Sequence, residues 1–328
     1  MRVLVAEPVG EPGLDLLRGN HEVEVRLGLA RADLLAELPQ YEALIVRSGV
    51  KVDAETIAAG TRLLVIGRAG VGTDNIDLAA ATDAGVAVVN APNANTVAAA
   101  EHTLALMLAL VRRIPAADAS LRDGEWRRAD FVGSELNGKT LGIIGLGRIG
   151  LAVADRARTF GMRLIGSDPF VSRDAALTYG VELTEVAEVL ATADIVTLHV
   201  PLNDRTRGLL DASGLARMKH GAVVINVARG GLIDEAALAD ALVGGRVGGA
   251  ALDVYGNEPP VGSPILGAPN TVLTPHLGAS TVEAQDRVSI ETCQQVADIL
   301  DGRDAPFVVN APLPNRRRLP EPTISHAR

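Results

Sequence analysis

The sequence predicts an α/β protein built from two doubly wound parallel sheets, and three observations predict it. Short apolar runs recur along the chain and alternate with stretches of helical spacing, the pattern of β-α-β units. At 328 residues the chain exceeds one ordinary domain, so two are expected. Its composition is 48% hydrophobic but only 2% aromatic. Ala, Val, Leu, Ile and Gly therefore fill the core, which suits strands covered by helices on both faces.

In chain order, Val3–Glu7, Glu22–Arg26, Ala43–Val46, Leu63–Ile66 and Val86–Asn90 read as strands, with helices at Pro12–Gly19, Asp53–Gly60 and Ile76–Ala84. This is a flavodoxin-like alternation. In open parallel sheets, ligands lie beyond the carboxyl ends of the strands. Arg47-Ser48-Gly49 follows the third strand, and Gly67-Arg68-Ala69-Gly70-Val71-Gly72 follows the fourth. Arginines beside glycines at successive strand ends suit an anion, because the guanidinium offers a bidentate fork and glycine lets backbone N–H groups approach. A long helix, Asn95–Arg113, crosses to the second domain. There, Thr140–Ile144, Met162–Gly166, Ile195–His199, Ala222–Asn226, Gly249–Val254 and Thr271–Thr274 give six strands, a complete dinucleotide fold. A helix over Thr281–Gly302 follows, and Phe307–Asn310 returns to the first domain. The tail after Ala311, with four prolines and Arg316–Arg318, reads as an extended or disordered end.

The second domain is organised around Lys139–Asp168. An apolar strand runs into Gly145-Leu146-Gly147-Arg148-Ile149-Gly150, a helix follows, and a second strand ends at Asp168. That context makes the G-x-G-x-x-G credible as a dinucleotide site. Gly145 permits the tight turn, Gly147 lets the backbone approach a pyrophosphate, and Gly150 allows close helix packing. The helix N-terminus offers N–H groups and a positive dipole end to the phosphates. Asp168 is placed to accept the ribose hydroxyls, and an acid there repels a 2′-phosphate, so NAD is expected rather than NADP.

Three groups that can do chemistry follow three consecutive strands of this domain. Arg229 lies in Asn226-Val-Ala-Arg-Gly-Gly231, Glu258 in Gly256-Asn-Glu-Pro-Pro260, and His276 in Leu273-Thr-Pro-His-Leu-Gly-Ala279. Hydride transfer on a 2-hydroxy acid needs a cation for the carboxylate and carbonyl, an acid/base for the hydroxyl proton, and a group that orients that base. Arg229 suits the first role, His276 the second, and Glu258 the third by raising the histidine pKa and orienting its ring. A histidine after a strand is often purely structural, and His102, His199 and His220 are read as structural or surface groups. The joint placement of Arg229, Glu258 and His276 is what points to catalysis.

Other classes find less support. The net charge of −9 argues against nucleic acid and anionic membranes as partners. Cys293 is the sole cysteine, which excludes an internal disulfide and a thiolate metal cluster, and no close His pair suggests a metal. No G-x-S-x-G elbow is present for serine hydrolysis. The longest apolar stretch, Leu104–Val111, is too short to span a membrane, and Met1–Ala6 reads as a first strand rather than a signal core, so a cytoplasmic protein is expected.

These motifs, with Asp74-Asn75, Glu135–Gly150, Ala251-Leu-Asp-Val254 and Thr274-Pro-His-Leu-Gly-Ala-Ser-Thr281, resemble those of the D-isomer-specific 2-hydroxyacid dehydrogenases over roughly residues 1–310. The resemblance implies a flavodoxin-like substrate domain from both chain ends (1–97 and 283–328) and an inserted Rossmann NAD-binding domain (98–282). It implies Arg229, Glu258 and His276 as the catalytic trio. Cofactor contacts are implied at Gly145, Gly147, Arg148, Ile149, Gly150, Asp168, Val227, Ala228, Asp253, His276 and Gly278. Substrate contacts are implied at Arg47, Ser48, Gly49, Arg68, Gly70, Arg128 and Arg229. It further implies a homodimer through the NAD-binding domain and a small-molecule substrate. The implied activity is NAD-dependent oxidation of a D-2-hydroxy acid, with 3-phosphoglycerate the best single candidate. Val50, where members acting on that substrate often carry Thr, and Ala129-Asp130, in a segment often basic, point instead toward glyoxylate or hydroxypyruvate. An NAD-sensing interaction module is the alternative from another class. The sequence stops near residue 328, so no carboxyl-terminal regulatory domain is expected.

Overall fold

The five apolar runs at the start of the chain form one all-parallel sheet in the computed structural model, which describes residues 1–311. Its elements are β1 (Arg2–Val5), α1 (Glu11–Arg18), β2 (Glu22–Val25), α2 (Arg31–Glu37), β3 (Ala43–Val46), α3 (Ala54–Ala59), β4 (Val65–Arg68), α4 (Leu78–Asp83) and β5 (Ala87–Asn90). The strand order β2-β1-β3-β4-β5 is that of a flavodoxin-like sheet. β4 lies two residues later than its apolar run suggests. Leu63 and Leu64 are buried, but the ladder with β3 starts at Val65 and ends at Arg68, so Arg68 is the last strand residue. Asp53 and Asp77 cap α3 and α4 by accepting the N–H groups of Thr56 and Ala80, each such cap worth about 1 kcal/mol.

The chain divides into two compact units, Met1–Asn95 with the chain from Thr281 onward, and Thr96–Ser280. The second unit comprises α5 (Thr96–Val111), α6 (Ile114–Arg122), β6 (Thr140–Ile144), α7 (Arg148–Thr159), β7 (Arg163–Ser167), α8 (Arg173–Thr178), β8 (Val181–Leu183), α9 (Val186–Thr192), β9 (Ile195–Leu198), α10 (Ala212–Arg217), β10 (Val223–Asn226), α11 (Glu235–Val243), β11 (Gly249–Leu252) and β12 (Thr271–Leu273). All seven strands are parallel, in the order β12-β11-β10-β9-β6-β7-β8. The expected six are thus joined by β8, whose three residues Val-Glu-Leu are too few and too polar to show as an apolar run. The helix expected over Asn95–Arg113 forms as α5, and α6 follows it as a further helix that was not expected. Arg113 takes φ 55°, and Pro115 opens the separate α6, none of whose residues is buried.

Apolar side chains close both faces of this second sheet. Leu104, Met107, Val153 and Ala157 belong to one core cluster, and Leu190, Leu215, Leu238 and Leu242 to the other. Each buried leucine contributes about 1.5–3 kcal/mol relative to exposure. The last helix, α12 (Val282–Leu300), belongs to the first unit and packs on α1. Gly13 makes that approach possible. A Cβ there would sit 2.2 Å from Ser289 Oγ, and the Gly13 N–H donates to that same oxygen at 2.8 Å. Val308 then bridges Val89 antiparallel, and Asn310 accepts the Val88 N–H, so the Phe307–Asn310 segment returns to the first sheet as expected. The reading of the tail after Ala311 lies outside the described residues. Among the described residues, no helix is long and apolar enough to cross a membrane, and no group of three or more His, Cys, Asp or Glu could hold a metal ion.

Candidate active site

The glycine turn sits at the switch point of the second sheet, where β6 has β7 on one side and β9 on the other. Its three glycines meet three different surroundings. Gly145 has φ +95°, and a Cβ there would lie 2.5 Å from the His199 carbonyl oxygen. A Cβ on Gly150 would lie 2.0 Å from the Gly145 oxygen, so α7 and the turn touch backbone to backbone. A Cβ on Gly147 would meet nothing within 4 Å, so it projects into open space beside the N-terminus of α7. Gly147 also caps that helix without a side-chain bond. Tight turn, close packing and an open cradle at a helix N-terminus are what a pyrophosphate requires. Arg148 is exposed and Ile149 half-buried on the first turn. Beneath the turn, burial pushes the His199 imidazole down to about 4, so this histidine brings no charge.

Asp168, one residue beyond β7, spends one oxygen on the Leu146 N–H and the other on the Phe170 N–H, each at 2.8 Å. The carboxylate is therefore fixed against the turn, and each oxygen retains a lone pair for a ribose hydroxyl.

The catalytic candidates stand at the carboxyl edge of the same sheet. His276 Nδ1 is 2.6 Å from Glu258 Oε2, and Glu258 Oε1 accepts the Tyr255 N–H at 3.2 Å. Burial raises the Glu258 carboxyl, but the His276 bond and charge and the Tyr255 N–H outweigh it, so its pKa lies below the ordinary value. An ionised Glu258 makes Nδ1 the proton-bearing nitrogen, which leaves the Nε2 lone pair for a substrate hydroxyl. Arg229 lies on the loop after β10. Its backbone carbonyl accepts from Asn226 Nδ2 at 2.9 Å, and its guanidinium donates to the Ala228 carbonyl at 2.7 Å. Gly230 lets this loop lie on the neighbouring one, since a Cβ there would fall 1.7 Å from the Tyr255 oxygen.

Asp253 is fully buried. Its carboxylate accepts the Leu277 and Gly278 N–H groups at 2.7 and 2.8 Å and the Thr274 hydroxyl at 2.6 Å, and it faces His102 Nε2 at 3.2 Å. It therefore fixes the backbone directly after His276, whose φ of 56° lies in the left-handed region that costs a side-chain-bearing residue about 1–2 kcal/mol. Gly278 closes this turn onto Val227, with a Cβ position 3.0 Å from Val227 Cγ1. His102, read from sequence as structural, thus faces a carboxylate that shapes the site.

The first unit presents its own set. Glu7, just past β1, accepts the N–H groups of Arg47, Gly49 and Val50 at 2.7, 2.9 and 3.0 Å. Asn75 Nδ2 donates to the Arg47 and Val50 carbonyls at 2.8 and 2.7 Å. The loop bearing Arg47, Ser48 and Gly49 is thereby held from two sides. Arg68 lies over Gly70, where a Cβ would fall 1.6 Å from Arg68 Nη1. Nothing in the sequence marks the Glu7 role beyond its place at a strand end, whereas Asn75 belongs to the Asp74-Asn75 motif. In the second unit, Arg128 is exposed on a 3₁₀ turn, and nearby Asp130 is engaged by Arg127 at 2.6 Å.

A glycine cradle at the switch point, an acid after the second strand, a His–Glu pair and an arginine on the loop after the adjoining strand define a dinucleotide-binding oxidoreductase fold. Comparison with known proteins narrows the class. Residues 104–278 match the model of the D-isomer specific 2-hydroxyacid dehydrogenase NAD binding domain. The chain is 49% identical to D-3-phosphoglycerate dehydrogenase of Archaeoglobus fulgidus, over 95% of this chain and 60% of that protein. It is 48% identical to the D-3-phosphoglycerate dehydrogenase of Mycobacterium tuberculosis H37Rv, over 94% and 58%. The chain thus spans about 60% of the length of these curated relatives. Among solved structures, the TT0316 protein of Thermus thermophilus is similar at 39% identity and TM-score 0.88, covering 94% of this chain and 100% of that one. A glyoxylate reductase of Paecilomyes thermophila is similar at 33% and 0.84, covering 92% and 96%. The chain belongs to the D-isomer-specific 2-hydroxyacid dehydrogenase family. It carries that family's NAD-binding domain, and the open cradle at Gly147 and the fixed Asp168 carboxylate fit NAD.

Proposed function

We propose that this chain is an NAD-dependent D-2-hydroxyacid dehydrogenase that oxidises 3-phosphoglycerate to 3-phosphohydroxypyruvate, a step of serine biosynthesis. The observation that carries the reading is the 2.6 Å bond between His276 Nδ1 and Glu258 Oε2 at the sheet edge that also bears Arg229. NAD, when bound, supplies the nicotinamide carbon that accepts the hydride from C2 of the substrate. Glu258 holds the ring proton of His276 on Nδ1. His276 Nε2 takes the C2 hydroxyl proton as the C–H bond breaks, and the imidazolium that forms is stabilised by the carboxylate beside it. Arg229 pairs with the substrate carboxylate and with the carbonyl oxygen as it gains double-bond character. Arg47, Arg68 and Arg128 supply the cations for the carboxylate and phosphate. Asp130 pairs with Arg127, which also pairs with Glu125, so this acid is only partly offset and the phosphorylated reading rests on Arg128 itself.

Val50 supports a second reading, a glyoxylate or hydroxypyruvate reductase with the same machinery. Initial rates of NADH oxidation with phosphohydroxypyruvate, hydroxypyruvate and glyoxylate decide between them. A preference for the phosphorylated ketone supports serine-pathway chemistry; a preference for the small ketones moves the enzyme to the other group. No turnover alongside tight NADH binding overturns both.

The same reading includes a homodimer formed through the nucleotide-binding unit and a cytoplasmic location. α6 buries none of its residues, and Ile114, Leu121, Trp126 and Val132 are exposed along and after it. Sedimentation tests the dimer: Leu121→Glu is expected to give monomers, and an unchanged dimer places the interface elsewhere.

A further inference from the structure

The loop that carries Glu258 runs from Gly256 to Ser263. An open groove of about 360 Å³ lies between it and the start of α11, lined by Ile233, Glu235, Gly256, Asn257, Pro260 and Ser263 among others. Val261 at the loop's far side is 85% exposed. Its internal hydrogen bonds are local turns, from the Val261 N–H to the Pro259 oxygen and from the Ser263 N–H to the Pro260 oxygen. Residues 256–259, 261 and 262 are exposed, so apolar packing holds this loop only at its flanks, through Tyr255 and Ile265.

One side chain reaches both of its ends. Glu235 Oε1 accepts the Gly256 N–H at 2.6 Å, and Glu235 Oε2 accepts the Ser263 hydroxyl in a short bond. Glu235 is half-buried and opens α11, in the segment that follows Arg229-Gly230. Gly230 lies against the same Tyr255–Gly256 backbone, with its Cβ position 1.7 Å from the Tyr255 oxygen and 2.7 Å from the Gly256 nitrogen. The Arg229 loop and the Glu258 loop are therefore joined at two points, one steric and one hydrogen-bonded.

We infer that Glu235 is a positioning residue for the acid/base pair: by clamping both ends of the Gly256–Ser263 loop, it holds Glu258 in register with His276 and with the Arg229 loop. This rests on the reading of Glu258 and His276 given above. Its action is geometric. A carboxylate that accepts two donors fixes the loop's ends, and displacement of a catalytic contact by about an ångström is enough to lower turnover strongly. Substrate and cofactor would touch Glu258's partners and not Glu235.

The test uses Glu235→Ala, Glu235→Gln and Ser263→Ala in the intact chain, with His276→Asn alongside. Asp234 caps α11 through the Ala236 and Ala237 N–H groups, so the helix start survives these changes. Glu235→Ala is expected to lower kcat about tenfold or more, with KM for the 2-oxo acid and Kd for NADH each within about twofold. Glu235→Gln is expected to keep at least half of wild-type kcat, because its amide oxygen still accepts from Gly256 while its NH₂ donates to Ser263 Oγ. Ser263→Ala releases one end only and is expected to lower kcat about two- to threefold. Full activity in Glu235→Ala with His276→Asn inactive overturns this inference and leaves the catalytic reading standing. Activity retained in His276→Asn overturns the catalytic reading itself. If Glu235→Ala fails to fold, the Gln and Ser263 variants decide: equal kcat in wild type and Ser263→Ala, or loss of kcat in Glu235→Gln, rejects the clamp.

Discussion

The Asp253 carboxylate accepts the Gly278 N–H at 2.8 Å, and with the adjacent Leu277 bond it holds His276 in its left-handed conformation. Burial pushes this carboxyl up, but hydrogen bonds from His102, Thr274 and Leu277 outweigh it and hold the pKa below the ordinary carboxylate value. A carboxyl whose pKa is lower in the folded than in the unfolded state stabilises the fold at neutral pH. That contribution is lost as pH falls below about 4, through the folded value. Asp253→Asn puts an NH₂ against a backbone N–H, and losing one charged hydrogen bond costs about 2 kcal/mol. The thermal midpoint at pH 7 is expected to fall by about 4–8 °C. The variant should also lose less stability than wild type between pH 5 and about 3. Parallel curves for the two proteins would remove Asp253 from the acid response.

Glu258 decides which ring nitrogen of His276 carries the proton. Glu258→Gln can present its NH₂ to Nδ1, which moves the proton to Nε2 and leaves no lone pair for the substrate hydroxyl. The expected result is a fall in kcat of about a hundredfold or more, with Kd for NADH unchanged by fluorescence titration. His276→Asn should abolish turnover and likewise leave NADH bound. Turnover near wild type in either variant would mean that another group moves the proton.

What the sequence made legible follows from where each signal is written. Strand ends and the glycine turn are local, so Gly145, Gly147, Gly150, Arg229, Glu258 and His276 could all be placed from neighbouring residues. β8 escaped because three residues alternating apolar and charged look like any turn. α6 escaped because it buries none of its residues, so no apolar face marks it after the end of α5. The clamps were out of reach for a different reason. Glu7 meets a loop 40–43 residues away, and His102 meets Asp253 across 151 residues. Periodicity encodes which face of an element is buried, and carries no record of which distant backbone a polar side chain will satisfy.

Gly147 and Gly150 should respond differently to the same methyl group. Gly147→Ala places its Cβ in open space, so the fold should hold with a midpoint within about 1 °C, while Kd for NADH rises at least tenfold as the methyl enters the pyrophosphate cradle. Gly150→Ala drives its Cβ to 2.0 Å from the Gly145 oxygen and must push α7 off the turn. Destabilisation of about 2–3 kcal/mol is expected, seen as a lower denaturation midpoint without any cofactor present. Equal effects on both quantities in the two variants would show that the turn does not separate the roles of its glycines.

Glu7 binds three N–H groups of the Arg47–Val50 loop, and in doing so already fills the backbone anion site that the loop forms. An incoming carboxylate or phosphate must then be met by the Arg47 side chain and Ser48 rather than by those amides. Glu7→Ala removes the internal anion and frees the loop, so Arg47 loses its fixed origin. KM for the 2-oxo acid is expected to rise about tenfold with kcat reduced less than about threefold, because the groups that move the proton belong to other loops. Kd for NADH should not change. Glu7→Gln keeps an acceptor for one or two of the amides and should fall between wild type and alanine. A kcat loss larger than the KM rise would show instead that the Arg47–Val50 loop takes part in the chemical step.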